Sequence, residues 1–124
     1  MVNQAPSVPI VEDDADLADL YGEFVPDEWP SAIVYSGTGA IERLDRSINV
    51  LILDRELEDV SVRAVLEYAH AIDPDCSVIV VSGYDEAAGA DLASDAYLQK
   101  PVGGSELLKT LEVVRTGRET PSGP

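Results

Sequence analysis

Four short apolar runs in this chain lead into residues that can manage charge. Glu12-Asp13-Asp14 follows the run 8–11, Asp54 closes 50–53, Ser82-Gly83 closes 78–81, and Lys100-Pro101 comes just after 96–98. If those ends meet, Glu12, Asp13 and Asp54 crowd three carboxylates into one crevice with no arginine cluster to neutralise them. Like charges so close are costly unless a hard divalent cation bridges them, and an all-oxygen ligand set points to Mg²⁺. Mg²⁺ keeps coordination positions for water and for phosphate oxygens. Lys100 adds a point positive charge and Ser82 a hydroxyl. A carboxylate nucleophile, a metal, a cation and a hydroxyl are the parts of phosphoryl transfer, because that chemistry rests on positioning and charge neutralisation. An aspartate can also accept the phosphoryl group covalently. Taken singly, acids at strand ends often cap helices, serines sit in turns and lysines decorate surfaces. Their coincidence at four strand ends carries the reading.

The elements that must position these residues alternate along the chain. The run 8–12 is followed by Leu17, Leu20, Tyr21 and Phe24 at helical spacing, stopped by Pro26. A second strand spans 32–35, and a short helix after it carries Ile41 and Leu44. The run 50–53 is apolar throughout, which predicts a strand covered on both faces. Val62, Val65, Leu66, Ala69 and Ile72 form the stripe of a third helix, ended at Pro74. A fourth strand of the buried type spans 78–81, then come a weak Ala/Gly-containing helix over 87–93 and a short fifth strand over 96–98. Ser105 is the expected cap of a last helix with Leu107, Leu108, Leu111 and Val114 on its core face. Strict alternation predicts right-handed crossovers and a parallel sheet with helices on both faces. In such sheets the functional crevice lies beyond the carboxyl ends of the strands, where the charged residues above sit.

Bulk composition bounds the function. With 124 residues and 45% hydrophobic content the chain is expected to form one globular domain, here 7–116, flanked by a flexible start (1–6) and a flexible tail or linker remnant (117–124). No apolar run approaches the ~20 residues of a membrane span, and no signal peptide is evident, so a cytoplasmic location is expected. There are 24 acidic against 8 basic residues, a net charge of −16, which repels phosphate backbones and anionic lipids and argues against direct nucleic-acid or membrane binding. The dispersed acidic excess suits a salt-rich cytoplasm, where screening weakens self-repulsion. Cys76 is the sole cysteine and opens an apolar run, so it reads as a buried small hydrophobe. His70, the sole histidine, sits near a helix end with no partner for a catalytic triad.

The segments Val-Pro-Ile-Val-Glu-Asp-Asp (8–14), Val-Leu-Ile-Leu-Asp (50–54), Val-Val-Ser-Gly (80–83) and Asp-Ala-Tyr-Leu-Gln-Lys-Pro (95–101) resemble the signature blocks of response-regulator receiver domains. The likeness spans residues 7–116, and the composition together with Leu-Asp-Arg after the third strand most resembles haloarchaeal receivers. It implies a flavodoxin-like (βα)5 fold, a doubly wound α/β domain with five parallel strands in the order 2-1-3-4-5. It also implies a signalling switch, not an enzyme acting on a separate substrate. Asp54 would be the phosphoacceptor. Glu12 and Asp13 would form the acidic pair, and Mg²⁺ would be held by Glu12, Asp13, Asp54 and the backbone carbonyl of Glu56. Ser82 would be the switch hydroxyl, Lys100 the phosphate-facing lysine and Tyr97 the switching aromatic. The phosphodonor would be a sensor histidine kinase or phosphotransfer protein. The surface made by helix 87–93, the fifth strand and the last helix would change on phosphorylation, for an output domain, a downstream protein or a second copy to read.

The chain departs from that pattern in two places. Pro9 falls in what should be the central first strand, so either that strand starts at Ile10 or the sheet is locally irregular. The loop Arg55-Glu56-Leu57-Glu58-Asp59-Val60-Ser61-Val62 lacks the family's proline and glycine and adds three carboxylates beside the phosphate pocket. Two rival functions follow: a receiver-like module that docks partners without phosphorylation, and a Mg²⁺-dependent aspartyl-phosphate phosphatase. Against the phosphatase, Asp54 is on the third strand, position 56 is Glu and no cap domain is available to enclose a substrate.

Overall fold

The computed structural model describes residues 7–45, 48–85 and 92–119. Five strands, β1 (Ile10–Val11), β2 (Ile33–Val34), β3 (Val50–Asp54), β4 (Ser77–Ser82) and β5 (Ala96–Gln99), form one sheet in the order β2-β1-β3-β4-β5. Every pairing is parallel. The described helices are α1 (Ala15–Phe24), α2 (Gly37–Arg43), α3 (Val62–Ile72) and α4 (Gly104–Glu119). This is the flavodoxin-like order that the resemblance implies. The expected helix over 87–93 falls largely on residues 86–91, outside the described residues.

The continuous apolar character of β3 and β4 has a simple cause. Side chains alternate across a strand, and here both faces are covered. Leu51, Leu53, Val78 and Val80 pack with Val11, Ala40, Val62, Val65, Leu66 and Ala69 under α2 and α3. Val50, Ile52, Ile79 and Val81 pack with Ile10, Tyr21, Leu107 and Leu111 under α1 and α4. Burying each such side chain contributes about 1.5–3 kcal/mol, so these two layers hold the strand ends, and hence the site, in register.

Pro9 is accommodated by starting β1 at Ile10. The N–H groups of Val8, Ile10 and Glu12 donate to the carbonyls of Pro30, Ala32 and Val34 at 2.8, 2.9 and 3.1 Å, and Pro9 still accepts from Ile52 N–H at 3.0 Å. By alternation the missing proline N–H faces β3, so one ladder bond is forgone and the sheet is otherwise continuous.

Three sequence expectations need correction. Ser105 lies inside the first turn of α4; Leu107 N–H donates to Gly103 O at 3.0 Å, which places the start of the helix ahead of Ser105. In α1 the buried residues are Ala18 and Tyr21, with Leu17 and Phe24 partly covered, whereas Leu20 is 40% exposed beside that stripe. And α4 runs to Glu119, so residues 117–119 are helical and not tail. A nucleated helix extends at little cost, and the next breaker in sequence is Pro121.

Gly37, the first residue of α2, is locked against the β3–α3 loop. A Cβ there would clash with Val60 Cγ2 and meet Asp59 Oδ1 at 3.2 Å and Leu57 Cδ1 at 3.3 Å. Gly37→Ala is therefore expected to cost about 1–3 kcal/mol through overpacking. Urea unfolding checks this, and Val60→Ala in the same chain should recover much of the loss, because it removes the atom that clashes.

Candidate functional site at the strand ends

The three consecutive acids after β1 take separate jobs, set by where each points. Asp14 caps α1, accepting from Asp16 N–H at 3.0 Å and Leu17 N–H at 3.2 Å. Glu12 is 1% exposed and accepts from Asp14 N–H at 3.1 Å. Asp13 reaches across to the loop after β3, where it accepts from Glu58 N–H at 3.2 Å. Asp54, the last residue of β3, is 2% exposed and accepts from Glu56 N–H at 3.2 Å. Lys100 is tethered beside the end of β4 by its backbone N–H, 2.7 Å from Ser82 O. Its Nζ lies 3.1 Å from Asp54 Oδ1, 3.4 Å from Glu12 Oε1 and 3.9 Å from Glu56 Oε1.

The electrostatics follow from that crowding. Burial, the largest influence, raises the Glu12 carboxyl to about 7; the bond from Asp14 N–H and the charge of Lys100 oppose this, while the neighbouring Asp54 adds to it. For Lys100 burial is the largest single influence and pulls downward, but Asp54, by charge and hydrogen bond, and then Glu12 outweigh it and leave the ammonium above its ordinary range. Tyr21, 2% exposed in the layer under α1, is pushed up to about 12, chiefly by burial, and its hydroxyl has no hydrogen-bond partner among the described residues.

The residues fit a divalent cation. Carboxylate oxygens of Glu12, Asp13 and Asp54 all lie within 4.8 Å of one another. Glu12 Oε1 is buried without a hydrogen bond among the described residues, since the nearby Lys100 Nζ comes within ion-pair reach but does not meet hydrogen-bond geometry. An all-carboxylate set with an orphaned buried oxygen is suited to a hard ion such as Mg²⁺.

The loop after β3 behaves differently from its sequence. Its three added carboxylates do not all crowd the crevice. Asp59 turns away and caps the neighbouring helix, accepting from Gly37 N–H at 3.0 Å and Thr38 N–H at 2.9 Å. Thr38, through its N–H and then its hydroxyl, holds the Asp59 carboxyl down at about 2, with Gly37 N–H adding to the effect. A carboxyl depressed on folding stabilises the protein above its unfolded value of 3.8 and loses that contribution as pH falls toward 2. Asp59→Asn should therefore lower the melting temperature at neutral pH, with the gap from wild type closing on acidification below 3.8. A gap independent of pH would show that the carboxylate charge plays no part.

Glu56 does enter the crevice, by its side chain. Ser82 Oγ donates to Glu56 Oε2 at 2.5 Å and Gly83 N–H donates to Oε1 at 2.9 Å. Sequence reasoning gave this residue a metal-facing backbone carbonyl and counted its side chain as one of three added charges, without the bonds to Ser82 and Gly83. Nor did it anticipate Arg55, whose guanidinium donates to Tyr97 Oη at 3.1 Å and lies 5.7 Å over the Tyr84 ring. Tyr97 packs against the layer under α3, and its hydroxyl donates to Tyr84 O at 3.2 Å. A short loop of alternating acids gives no signal for which side chain faces in. Cys76 is buried as expected, and His70, on α3, is in none of the site's contacts given above.

No known family model matches the chain. A Haloferax volcanii protein whose name places it among transcriptional regulators is 35% identical over 117 residues, which span 91% of this chain and 20% of that protein. The chain thus spans about a fifth of that curated relative. The signal receiver domain of a Luxo repressor protein from Vibrio parahaemolyticus superimposes with a TM-score of 0.83 at 27% identity, covering 93% of each chain. A CheY-like response-regulator receiver domain from Methanospirillum hungatei does so with a TM-score of 0.81 at 25% identity, covering 94% of this chain and 98% of the other. Among the described residues, no helix is long and apolar enough to cross a membrane.

Proposed function

We propose that this chain is a response-regulator receiver domain and acts as a phosphoacceptor switch of a two-component system, charged on Asp54. The single observation that carries this reading is the convergence on Asp54 of a buried carboxylate, Lys100 Nζ at 3.1 Å and the two further carboxylates of the acidic pair. Asp54 would attack the phosphorus of a phosphohistidine on a sensor kinase or phosphotransfer protein. The donor's P–N bond breaks, its electron pair leaves on the imidazole nitrogen, and a P–O bond to the Asp54 carboxylate forms. Glu12, Asp13, Asp54 and the Glu56 carbonyl would hold Mg²⁺. Bound there, it supplies positive charge against the phosphoryl oxygens. Lys100 neutralises the remaining charge, and Ser82 is the hydroxyl drawn to the phosphoryl group. Tyr97, on β5 and bonded to Tyr84 O, would couple the site to the face of β5 and α4. That face is where an output domain, a downstream protein or a second copy of the chain would read the state.

Intact mass after incubation with acetyl phosphate and Mg²⁺ in high salt, beside Asp54→Asn, tests the reading. A phosphoryl adduct on the wild type that needs Mg²⁺ and is absent from the variant supports it. An adduct equally present on Asp54→Asn would sink the assignment of the acceptor. No adduct from either acetyl phosphate or a partner kinase would favour a docking module that works without phosphorylation.

A further inference from the structure

A phosphoryl group on Asp54 needs hydrogen-bond donors for its outer oxygens, and Ser82, Gly83 and Lys100 offer them at the neighbouring strand ends. Ser82 has one hydroxyl proton, Gly83 one amide proton and Lys100 an ammonium already shared with Asp54 and Glu12. In this structure both single protons are committed to Glu56, at 2.5 and 2.9 Å, and the third donor lies 3.9 Å from the same carboxylate. Glu56 is held there by its own backbone, since its N–H donates to Asp54 Oδ1 at 3.2 Å. Two oxygens of one anion thus lie on the donor set that the phosphoryl oxygens require.

Building on the phosphoacceptor reading, we propose that the Glu56 carboxylate is a built-in stand-in for the phosphoryl group, occupying its cradle until phosphorylation displaces it. A proton cannot serve both anions at once, so Ser82 and Gly83 must release Glu56 before they can bind phosphate. The side chain, 34% exposed, has room to leave toward solvent. Two consequences follow. Phosphorylation of Asp54 is slowed by the competing carboxylate, whose charge also repels the incoming group. And Ser82 is drawn toward an anion before any phosphate arrives, with Tyr84 N–H bonded to its Oγ at 2.9 Å and Tyr97 bonded to Tyr84 O at 3.2 Å, so the unphosphorylated domain already holds the drawn-in arrangement.

The test compares the full chain with Glu56→Ala and Glu56→Gln. Rates of adduct formation with acetyl phosphate and Mg²⁺ are read by mass, and the Gly83 amide by ¹H–¹⁵N NMR without phosphodonor. Losing two charge-assisted bonds to a competitor should raise the phosphorylation rate roughly tenfold in Glu56→Ala. Glu56→Gln keeps the side chain's shape while removing its charge, should fall between the two, and serves if the alanine variant does not fold. The Gly83 amide proton should move upfield in Glu56→Ala and return on phosphorylation, but shift little when the wild type is phosphorylated. Folded variants with unchanged or slower phosphorylation, or an unmoved Gly83 resonance, would overturn the proposal. If none of the three proteins gains an adduct from acetyl phosphate or from a partner kinase, the phosphoacceptor reading itself falls, whereas Glu56's hold on the cradle is judged separately by the Gly83 resonance.

Discussion

Asp54→Asn is expected to lose phosphoryl uptake by a factor on the order of 10³ or more, the scale on which removing a nucleophile acts. A carboxamide offers no nucleophilic oxygen anion, yet Asn keeps the volume of a residue that is 2% exposed and can still accept from Glu56 N–H. The fold should therefore survive, and the loss should be chemical. The same variant makes a second forecast that a merely destabilised protein would not. Asp54, through a hydrogen bond and its charge, is among the causes that raise Glu12 to about 7, behind burial. Removing that charge should let Glu12 titrate lower, while burial keeps it above an ordinary glutamate. A ¹³C titration of the Glu12 carboxyl measures this. An unmoved Glu12 would mean that the two carboxylates do not feel each other and that the acidic crevice is looser than its distances indicate.

Much of this was legible in the sequence because the relevant physics is periodic. Strands buried on both faces must be apolar at every position, as 50–53 and 78–81 are, and the stripe Val62, Val65, Leu66, Ala69 could only be a helix face. Once alternation fixed a parallel sheet, the carboxyl ends of its strands named Glu12, Asp13, Asp54, Ser82 and Lys100 without reference to contacts. What stayed hidden was direction within irregular backbone. Glu56, Glu58 and Asp59 read as three equivalent charges near the pocket. In the structure Glu56 binds Ser82 and Gly83, Asp59 caps a different helix, and Glu58 contributes a backbone N–H to Asp13. Such choices depend on which donors from distant segments happen to be unpaired, and spacing along one loop does not encode that. The same holds for Pro9, where composition posed the question and the hydrogen bonds of its neighbours answered it.

Lys100→Met should be the most destabilising change in the crevice. Its ammonium is shared by Asp54, Glu12 and Glu56, two of which are almost wholly buried, and removing one partner of a buried ion pair typically costs about 3–5 kcal/mol. The lysine side chain is 22% exposed, so solvent screening trims this toward about 2–3 kcal/mol, or roughly 10 °C in melting temperature for a domain of this size. The sign of the pH dependence is fixed by Glu12. Its folded value, about 7, lies above its ordinary 4.5, so the folded state binds that proton more tightly than the unfolded chain. The penalty of keeping Glu12 ionised is therefore full above about 7 and fades as pH falls toward 4.5. Without the opposing charge of Lys100 that penalty grows, so wild type and variant should differ most at alkaline pH and converge on acidification. Mg²⁺ should narrow the same gap, because a cation bound by Glu12, Asp13 and Asp54 replaces the charge that was removed. Melting curves across pH, with and without Mg²⁺, read both effects. A gap that ignores pH and Mg²⁺ would mean that Lys100 stabilises the domain through packing of its stem, and the crevice would then lose its standing as a charge-balanced anion and metal site. A gap that responds to both would show that the strand ends hold an excess of negative charge awaiting a cation, as the proposed phosphoryl transfer to Asp54 requires.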